Sequence, residues 1–419
     1  MNRRPMWWAA GVFVAGAVLL VGVVAVEMRG AVLPPEPSTV AIDPALRARG
    51  ADLARAGNCM ACHTARGGAP YAGGRRIRTP FGDLLTGNLT PDPETGLGQW
   101  SREAFRRALH EGRSRDGHLL YPAFPYPQFT RLSDDDVDAL WAYLRSLPPV
   151  RQAKAPHALR FPYGTQAALA VWRVLFFNPG RYQPDASRST EWNRGAYLVQ
   201  GVAHCAACHG SRNAWGATTK PLGGERLPDD RWYAPSLHDP REAGVQDWPT
   251  ERVVALLRDG WVEGASVAGP MAEVVFHGTQ HLPASDLSAI AIYLRDLPAM
   301  PAPVHDFVAA EADQLAAGER LYGQHCGDCH GKTGEGRAGV WPALAGNRVV
   351  GMDDPTNLLQ AIVGGGFAPA TAGHPQPYGM PPFRTLLQDE EIAAIASFLR
   401  QRWGQHASAV RPIDVERVR

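Results

Sequence analysis

Three segments of the chain share one pattern of apolar positions. In each segment apolar residues stand at i, i+3, i+4 and i+7, the spacing that places them on one face of an α-helix. Acidic residues fill the first turns of these helices, where the helix dipole favours negative charge. The segments cover residues 133–148, 285–298 and 389–403. The pattern predicts three equivalent amphipathic helices, each of which closes a repeated unit.

Two further features accompany each closing helix. A helix-like stretch ends in a pair of cysteines at residues 50–63, 195–209 and 318–330. A middle segment of helical character follows at residues 100–112, 248–260 and 354–366. This order predicts a mostly α fold with three tandem domains. We assign domain 1 to residues 43–150, a linker to 151–185, domain 2 to 186–300 and domain 3 to 311–406.

The N-terminal segment, residues 1–30, has a different pattern. Met6 to Val26 is an unbroken run of 21 residues without a charge. As a helix it is about 31 Å long, close to the hydrocarbon thickness of a bilayer. Arg3 and Arg4 precede it, which by the positive-inside rule keeps the N-terminus in the cytoplasm. We therefore predict one N-terminal transmembrane helix, with a cleaved signal peptide as the alternative. Both interpretations place residues 30–419 outside the cytoplasm.

The composition excludes some classes of protein. The chain has 42 basic and 41 acidic residues, so a strongly basic nucleic-acid binder and an acidic disordered chain are both disfavoured. With 44 glycines and 36 prolines, we expect many loops between short elements. All six cysteines fall in three pairs, which leaves none for a long-range disulfide or a lone nucleophile.

Each cysteine pair is followed at once by a histidine. The three motifs are Cys59, Cys62 and His63; Cys205, Cys208 and His209; Cys326, Cys329 and His330. Two thiols at this spacing can bond the two vinyl groups on one edge of a haem, and the histidine then lies beneath the iron as the proximal ligand. Zinc would need four ligands where each repeat has one pair, and no βαβ pattern supports a thioredoxin-like site. The motifs predict three covalently bound haem c groups in three class I cytochrome c-like domains.

A sixth iron ligand is expected from the loop between the middle and closing helices. In the second and third repeats this loop contains Met271 and Met380, which we predict to be distal ligands. In the first repeat Phe124 occupies the same place, and phenylalanine cannot bind iron. Three outcomes remain for haem 1: ligation by His118, which we favour, ligation by another histidine such as His110, or a five-coordinate iron. A nitrogen ligand would make haem 1 the lowest in potential. We interpret the remaining histidines, including His374, as surface or loop residues.

The segments at residues 79–100, 120–144 and 191–210 carry a family resemblance. They read TPFGDLLTGNLTPDPETGLGQW, LYPAFPYPQFTRLSDDDVDALWAYL and EWNRGAYLVQGVAHCAACHG. Together with the order of the motifs, they resemble the triheme cytochrome c subunit of bacterial membrane-bound dehydrogenases. The resemblance covers nearly all of residues 43–406. It implies an electron-transfer subunit that receives electrons from a periplasmic catalytic subunit with a pyrroloquinoline quinone, flavin or molybdenum cofactor.

The resemblance also implies where the electrons go and where the protein resides. The acceptor would be ubiquinone or another respiratory acceptor, and the haem domains would lie on the periplasmic side of the bacterial inner membrane. It assigns the same cysteines, histidines and methionines to the haems, while Phe124 stands where many relatives carry methionine. We expect no substrate-oxidising site on this chain alone. The alternatives are a haem peroxidase-like enzyme that uses an open haem 1, and a stand-alone cytochrome that donates to a terminal oxidase.

Overall fold

The computed structural model describes residues 21–36, 43–228, 231–300 and 306–419. The predicted transmembrane segment, Met6–Val26, lies mostly outside these residues. Its described part, residues 21–26, is helical. In the described part of the chain, no helix is both long and apolar enough to cross a membrane. The fold prediction is corrected on this point: the transmembrane helix is not a feature of the described fold.

Contacts within the chain divide it into two compact units. The first contains the residues up to Ala54 together with Cys62–Gln183, and the second contains Arg55–Ala61 and Pro184–Arg419. The second unit therefore includes both the second and the third sequence repeat. Both units are mostly helical, with short antiparallel strand pairs in the loops.

The first repeat and the segment after it form six helices and one small sheet among the described residues. The helices are α1 (Pro44–Ala56), α2 (Cys59–Cys62), α3 (Arg102–Glu111), α4 (Tyr126–Phe129), α5 (Asp134–Arg145) and α6 (Gln166–Phe176). The strands are β1 (Arg76–Thr79), β2 (Gly82–Leu85) and β3 (Ala158–Leu159), paired antiparallel in that order. The predicted middle and closing helices are confirmed as α3 and α5. Ser133 caps α5 by accepting a hydrogen bond from the amide of Asp136.

The second repeat follows the same order with an irregular first helix. Its helices are α7 (Thr190–Tyr197), α8 (Ala206–His209), α9 (Thr250–Asp259), α10 (Gly269–His277) and α11 (Ala284–Arg295). A π-helical turn, Leu198–Val202, continues α7 toward the cysteine pair, and a 3₁₀ turn covers Thr279–His281. The strands are β4 (Ser211–Arg212), β5 (Thr218–Lys220), β6 (Glu225–Arg226), β7 (Tyr233–Ala234), β8 (Trp261–Val262) and β9 (Ala265–Ser266). They pair as three antiparallel hairpins.

The third repeat has a large apolar core. Its helices are α12 (Ala312–His325), α13 (Gly327–His330), α14 (Arg348–Gly351), α15 (Thr356–Gly364), α16 (Asp389–Arg400) and α17 (Pro412–Glu416). Strands β10 (Gly366–Phe367) and β11 (Gly379–Met380) form a hairpin. The core combines residues of α12, α15, α16 and α17. Burial of these apolar side chains is the main force that holds the short helices together.

The opening and closing helices of each repeat cross at a glycine. A Cβ atom added to Gly50, Gly195 or Gly318 would lie 1.9, 2.0 or 2.2 Å from the carbonyl oxygen of Ala139, Ala289 or Ala394. These distances are far below van der Waals contact, so only glycine permits the crossing. Because the same geometry occurs in all three repeats, the repeats share a structure as well as a sequence pattern.

Candidate haem-binding sites

The cysteine motifs follow directly on the opening helices. Each motif forms a short helical turn, namely α2, α8 and α13. The first cysteine of each pair is half-buried and the second is exposed, and all six are thiols rather than disulfides. Burial raises the pKa of Cys205 to about 12 and that of Cys326 to about 11. A redox-active dithiol needs the opposite shift, since the thiolate is the reactive form. Cys205 and Cys326 are therefore poorly suited to thioredoxin-like chemistry.

The three motif histidines make the same type of hydrogen bond within the chain. In each, Nδ1 donates to a backbone carbonyl oxygen that lies further along the sequence. The distances are 2.7 Å from His63 to Gly87, 2.7 Å from His209 to Pro235 and 3.0 Å from His330 to Pro342. With its proton on Nδ1, each imidazole has its lone pair on Nε2. The hydrogen bond from Nδ1 to the carbonyl fixes both the tautomer and the ring orientation, as is usual for histidines that bind metals.

Burial also favours the ligand form of these histidines. Removal from water penalises the charged imidazolium and lowers the pKa of His63, His209 and His330. A neutral imidazole is the form that binds iron. Two thiols and a neutral, oriented imidazole on one turn are the donor set of haem c attachment, so the residues fit the cofactor. Among the described residues, no group of three or more His, Cys, Asp or Glu side chains could hold a metal ion.

The two candidate distal methionines lie between the middle and closing helices, but both belong to regular elements and not to the loop that the sequence predicted. Met271 is the third residue of α10, and Met380 ends β11, where it pairs in register with Gly366. Both side chains are half-buried, and Met380 packs against the core of the third repeat. Their ligation of iron stays a prediction.

The first repeat has an aromatic cluster at the corresponding place. Phe124 is half-buried, with its ring centroid 5.6 Å from that of Phe129 and 6.5 Å from that of Tyr126. No thioether is present at this position. The aromatic contacts give the Phe124 ring a packing role, while the sixth ligand of haem 1 must come from elsewhere or be absent.

The two candidate histidines of the first repeat have opposite environments. His118 is exposed, and its Nδ1 lies 2.8 Å from the carboxylate of Asp116, which leaves Nε2 available. His110 is 4% exposed in α3, with Nδ1 3.8 Å from the Asp134 carboxylate and Nε2 without a hydrogen-bond partner. Burial lowers the pKa of His110 to about 4, so it is neutral at physiological pH. Ligation by His118 stays a prediction.

Sequence reasoning missed the carbonyl groups that orient the histidines. Gly87, Pro235 and Pro342 contribute only their backbone oxygens, and every residue has such an oxygen. They follow their histidines by different numbers of residues, so no common spacing identifies them. The glycines at the helix crossings, Gly50, Gly195 and Gly318, begin the three segments that end in the cysteine pairs. Their role became clear only from the packing of the helices.

Comparisons with known proteins agree with this donor set. Residues 47–148 match the family model for cytochrome c, and residues 313–399 match the model for cytochrome c oxidase, cbb3-type, subunit III. The chain is thus a c-type cytochrome, a class that binds haem c covalently. These matches correct the prediction of three cytochrome c-like domains, because the models cover two segments and residues 186–300 lie outside both. The second repeat departs from the common pattern through its π-helical turn and its additional hairpins.

Curated relatives define the family more closely. The chain is 38% identical over 397 residues to the alcohol dehydrogenase (quinone) cytochrome c subunit of Gluconobacter oxydans. The matched region covers 90% of this chain and 83% of that protein. It is 35% identical over 384 residues to the gluconate 2-dehydrogenase cytochrome c subunit of Pantoea cypripedii, with 87% of each chain covered. A nicotinate dehydrogenase subunit of Pseudomonas putida is 41% identical over 416 residues, or 96% of this chain, and the chain spans 34% of the length of that relative.

These similarities extend through all three repeats. The chain belongs to the family of cytochrome c subunits of alcohol, gluconate, fructose and nicotinate dehydrogenases. Its partner is accordingly a catalytic dehydrogenase subunit, and its role in such a complex is electron transfer.

Proposed function

We propose that the chain carries three covalently attached haem c groups and passes electrons from a catalytic dehydrogenase subunit to ubiquinone or another respiratory acceptor. The observation that carries the proposal is the Nδ1–carbonyl hydrogen bond, which all three motif histidines make. A motif that occurred by chance would have no reason to orient its histidine in this way. The same bond at the second motif supports a haem there, although neither family model covers this repeat.

The residues of the chain have distinct roles in this proposal. Haem c, when bound, supplies a one-electron redox centre. Each cysteine pair would hold it covalently, and each motif histidine would bind the iron through Nε2. Met271 and Met380 would supply a thioether ligand in the second and third repeats, and such ligation would raise the potentials there. Their half-buried positions would reduce access of water to the metal.

We place the haem-bearing residues on the periplasmic side of the bacterial inner membrane. Two observations support this location: the basic residues followed by an apolar run at the N-terminus, and the similarity to subunits of quinone-linked dehydrogenases such as that of Gluconobacter oxydans. Fractionation of cells that express the chain should recover its haem with the inner membrane. Recovery of the haem-bearing chain in the cytoplasm would contradict the location.

The function is tested by isolation of the complex in its native state. The full chain, tagged at its C-terminus, should co-purify with a catalytic dehydrogenase subunit. The substrate of that subunit should then reduce all the haems, and a soluble ubiquinone analogue should reoxidise them. Co-purification with a terminal oxidase and no dehydrogenase would favour the stand-alone cytochrome. Haems that stay oxidised when the substrate of a co-purified dehydrogenase is added would contradict the proposed role.

One observation favours a second candidate. Phe124 stands in place of a sulfur ligand in the first repeat and provides no atom that binds iron. An open coordination position on haem 1 would permit peroxide chemistry. High-spin haem and rapid peroxide turnover by the isolated chain would support this function, whereas low-spin spectra for every haem would exclude it.

A further inference from the structure

The second and third repeats contact each other within the second unit at several places, and two of these adjoin the haem motifs. At the first, α15 of the third repeat meets β7 of the second. At the second, the loop between β10 and β11 lies on the residues that follow α9. Each place adjoins a residue that we assign to haem iron in the proposed function.

The first contact is made by Asn357 of α15. Its side-chain Oδ1 accepts a hydrogen bond of 3.0 Å from the amide of Tyr233, and its Nδ2 donates one of 2.8 Å to the carbonyl of the same residue. Asn357 thus occupies both backbone groups of Tyr233 at the edge of the β6–β7 hairpin. Two residues later, the carbonyl of Pro235 accepts the hydrogen bond from His209. The third repeat therefore holds the short segment that orients the proximal histidine of haem 2.

A second group fixes the same segment from within its own repeat. The carboxylate of Glu242 accepts hydrogen bonds from the Tyr233 hydroxyl, at 2.9 Å, and from the amide of Ser236, at 2.6 Å. Tyr233 to Ser236 are thus held at both ends, with Pro235 between them. A segment fixed in this way limits the positions that the Pro235 carbonyl can adopt, and so limits the rotation of the His209 ring.

The second contact is a stack of two rings. The His374 ring lies 5.8 Å from that of Trp261, at an interplanar angle of 27°. Both ring nitrogens of His374 are buried and have no hydrogen-bond partner in the described chain. The Thr371 hydroxyl donates to the carbonyl of Asp259 at 3.2 Å, and Gln280 donates to that of Ala370 at 3.3 Å. The loop between β10 and β11 is therefore held on the second repeat by one stacked ring and two hydrogen bonds from side chains to backbone carbonyls.

This loop ends at the predicted distal ligand of haem 3. Met380 is the last residue of β11, six residues after His374, and Gly366 opposite it opens the same hairpin. The close approach requires a glycine at residue 260, where a Cβ atom would lie 2.5 Å from Pro369 and where φ is +73°. A hairpin of two residue pairs has little stability alone, so its position depends on the surface beneath it.

We propose that these two contacts between the second and third repeats each position one iron ligand, His209 for haem 2 and Met380 for haem 3. Asn357 acts on His209 through the Tyr233–Pro235 segment, and the stack of His374 on Trp261 acts on Met380 through the hairpin. Both are positioning residues, because neither would touch iron. The inference rests on the proposed function in one respect, namely that His209 and Met380 bind haem iron. Its consequence is that each of these haems depends for its ligand geometry on the repeat that binds the other.

The test for the hairpin uses the full chain with its haems attached. His374→Ala should weaken the long-wavelength charge-transfer absorption of methionine-ligated ferric haem by up to about half, because two of the three haems are predicted to have a methionine ligand. It should also lower the midpoint potential of the same haem that Met380→Ala affects. His374→Phe should restore both properties, since the ring nitrogens of His374 have no partner to lose.

A matched control comes from another contact between the second and third repeats. Arg348 lies over the ring of Trp248 at 4.8 Å and donates to the carbonyl of Gly244, but it touches neither the hairpin nor the Tyr233–Pro235 segment. Arg348→Gln should leave the absorption and all potentials unchanged. A similar change in Arg348→Gln and His374→Ala would overturn the inference, because the effect would then reflect a general loosening of the contact.

The Asn357 side is tested separately. Asn357→Ala should shift the midpoint potential of haem 2 and leave that of haem 3 unaltered. Haem 2 is identified as the potential that disappears when Cys205 and Cys208 are removed. Suppose that the wild type has the charge-transfer absorption, that His374→Ala does not change it, and that Asn357→Ala shifts no potential. This result would overturn the inference and leave the proposed function intact. A wild-type chain without this absorption would overturn the methionine assignments, and with them the inference.

Discussion

Gly318 in α12 lies so close to Ala394 in α16 that a Cβ atom at residue 318 would be 2.2 Å from the Ala394 carbonyl oxygen. The obstacle is backbone, which cannot rotate away as a side chain can. Gly318→Ala must therefore separate the two helices that form the core of the third repeat. We expect a loss of about 2 kcal/mol or more in the free energy of unfolding, measured by denaturant unfolding of the haem-loaded chain.

Gly323 provides a control on the same helix. A Cβ atom there would meet nothing within 4 Å, and its φ is not in the left-handed region. Because alanine loses less backbone entropy on folding than glycine, Gly323→Ala should leave stability unchanged or raise it by up to about 1 kcal/mol. Equal destabilisation by the two substitutions would show that helix packing is not the cause.

Much of the helical framework follows from local pattern. Apolar spacing located the closing helices to within a few residues, since a helix that buries one face must repeat every 3.6 residues. Ser133 at the start of α5 is likewise a local signal, because its hydroxyl satisfies an amide three residues later. The spacing of the cysteines and the histidine likewise indicates covalent haem attachment from only five consecutive residues. These features depend only on neighbours along the chain.

Of the remaining features, one depends on the length of a helix and another on residues that are distant in sequence. The π-helical turn at Leu198–Val202 accommodates an opening helix that is longer between its glycine and its first cysteine than in the other repeats. His374 was interpreted as a surface or loop residue; it lies in a loop, but its ring nitrogens are buried by packing on Trp261. No local pattern encodes such a contact, because the two rings are separated by more than a hundred residues.

The buried imidazole of His110 should make the stability of the first unit depend on pH. Its pKa is lowered to about 4, chiefly by burial, whereas an unfolded histidine titrates near 6.5. Between these values the unfolded chain binds more protons than the folded chain, so the free energy of unfolding falls as the pH falls. The contribution is complete above about pH 7 and is lost by about pH 4, with a total of up to about 3 kcal/mol.

His110→Leu should remove this part of the pH dependence. Unfolding by denaturant at about pH 7.5 and about pH 5 should show a smaller decrease for the variant than for the wild type. His281 is exposed, so His281→Leu controls for the loss of a histidine and should behave as the wild type. Identical pH dependence in His110→Leu and the wild type would contradict the prediction.

Removal of the second cysteine pair tests the haem that the family models leave uncovered. Cys205→Ala combined with Cys208→Ala removes both thioether bonds of one haem. The intact mass should then correspond to two haem groups instead of three, and the haem absorbance per chain should fall by about a third. Electron flow from dehydrogenase to quinone should also cease if the haems act in series.

Ala207 lies between these cysteines and provides a matched control. Its side chain is half-buried and takes no part in attachment, so Ala207→Ser should retain all three haem groups. An unchanged number of attached haem groups in the double cysteine variant would mean that the second repeat carries no covalent haem. The proposed chain of three centres would then be reduced to two.

Phe124→Met should convert haem 1 into a methionine-ligated centre. Residue 124 occupies the place that Met271 and Met380 occupy in their repeats, and the half-buried ring is of a size that a flexible thioether can replace. Methionine ligation raises haem potential, so the lowest of the three midpoint potentials should rise in this variant. Spectroelectrochemical titration should detect the shift, and the charge-transfer absorption of methionine-ligated ferric haem should increase by about half, from two such haems to three.

The control for this substitution separates ligation from packing. Phe124→Leu removes the same contacts with Phe129 and Tyr126, at a cost of about 1 kcal/mol for the lost aromatic pairs, but supplies no sulfur. It should leave the potential of haem 1 low. Equal shifts in the methionine and leucine variants would point to solvent access as the cause, since the two share only the loss of the ring. A wild-type haem 1 at or above the potential of the other two would instead contradict the assignment of a nitrogen ligand, because such a ligand lowers the potential relative to methionine.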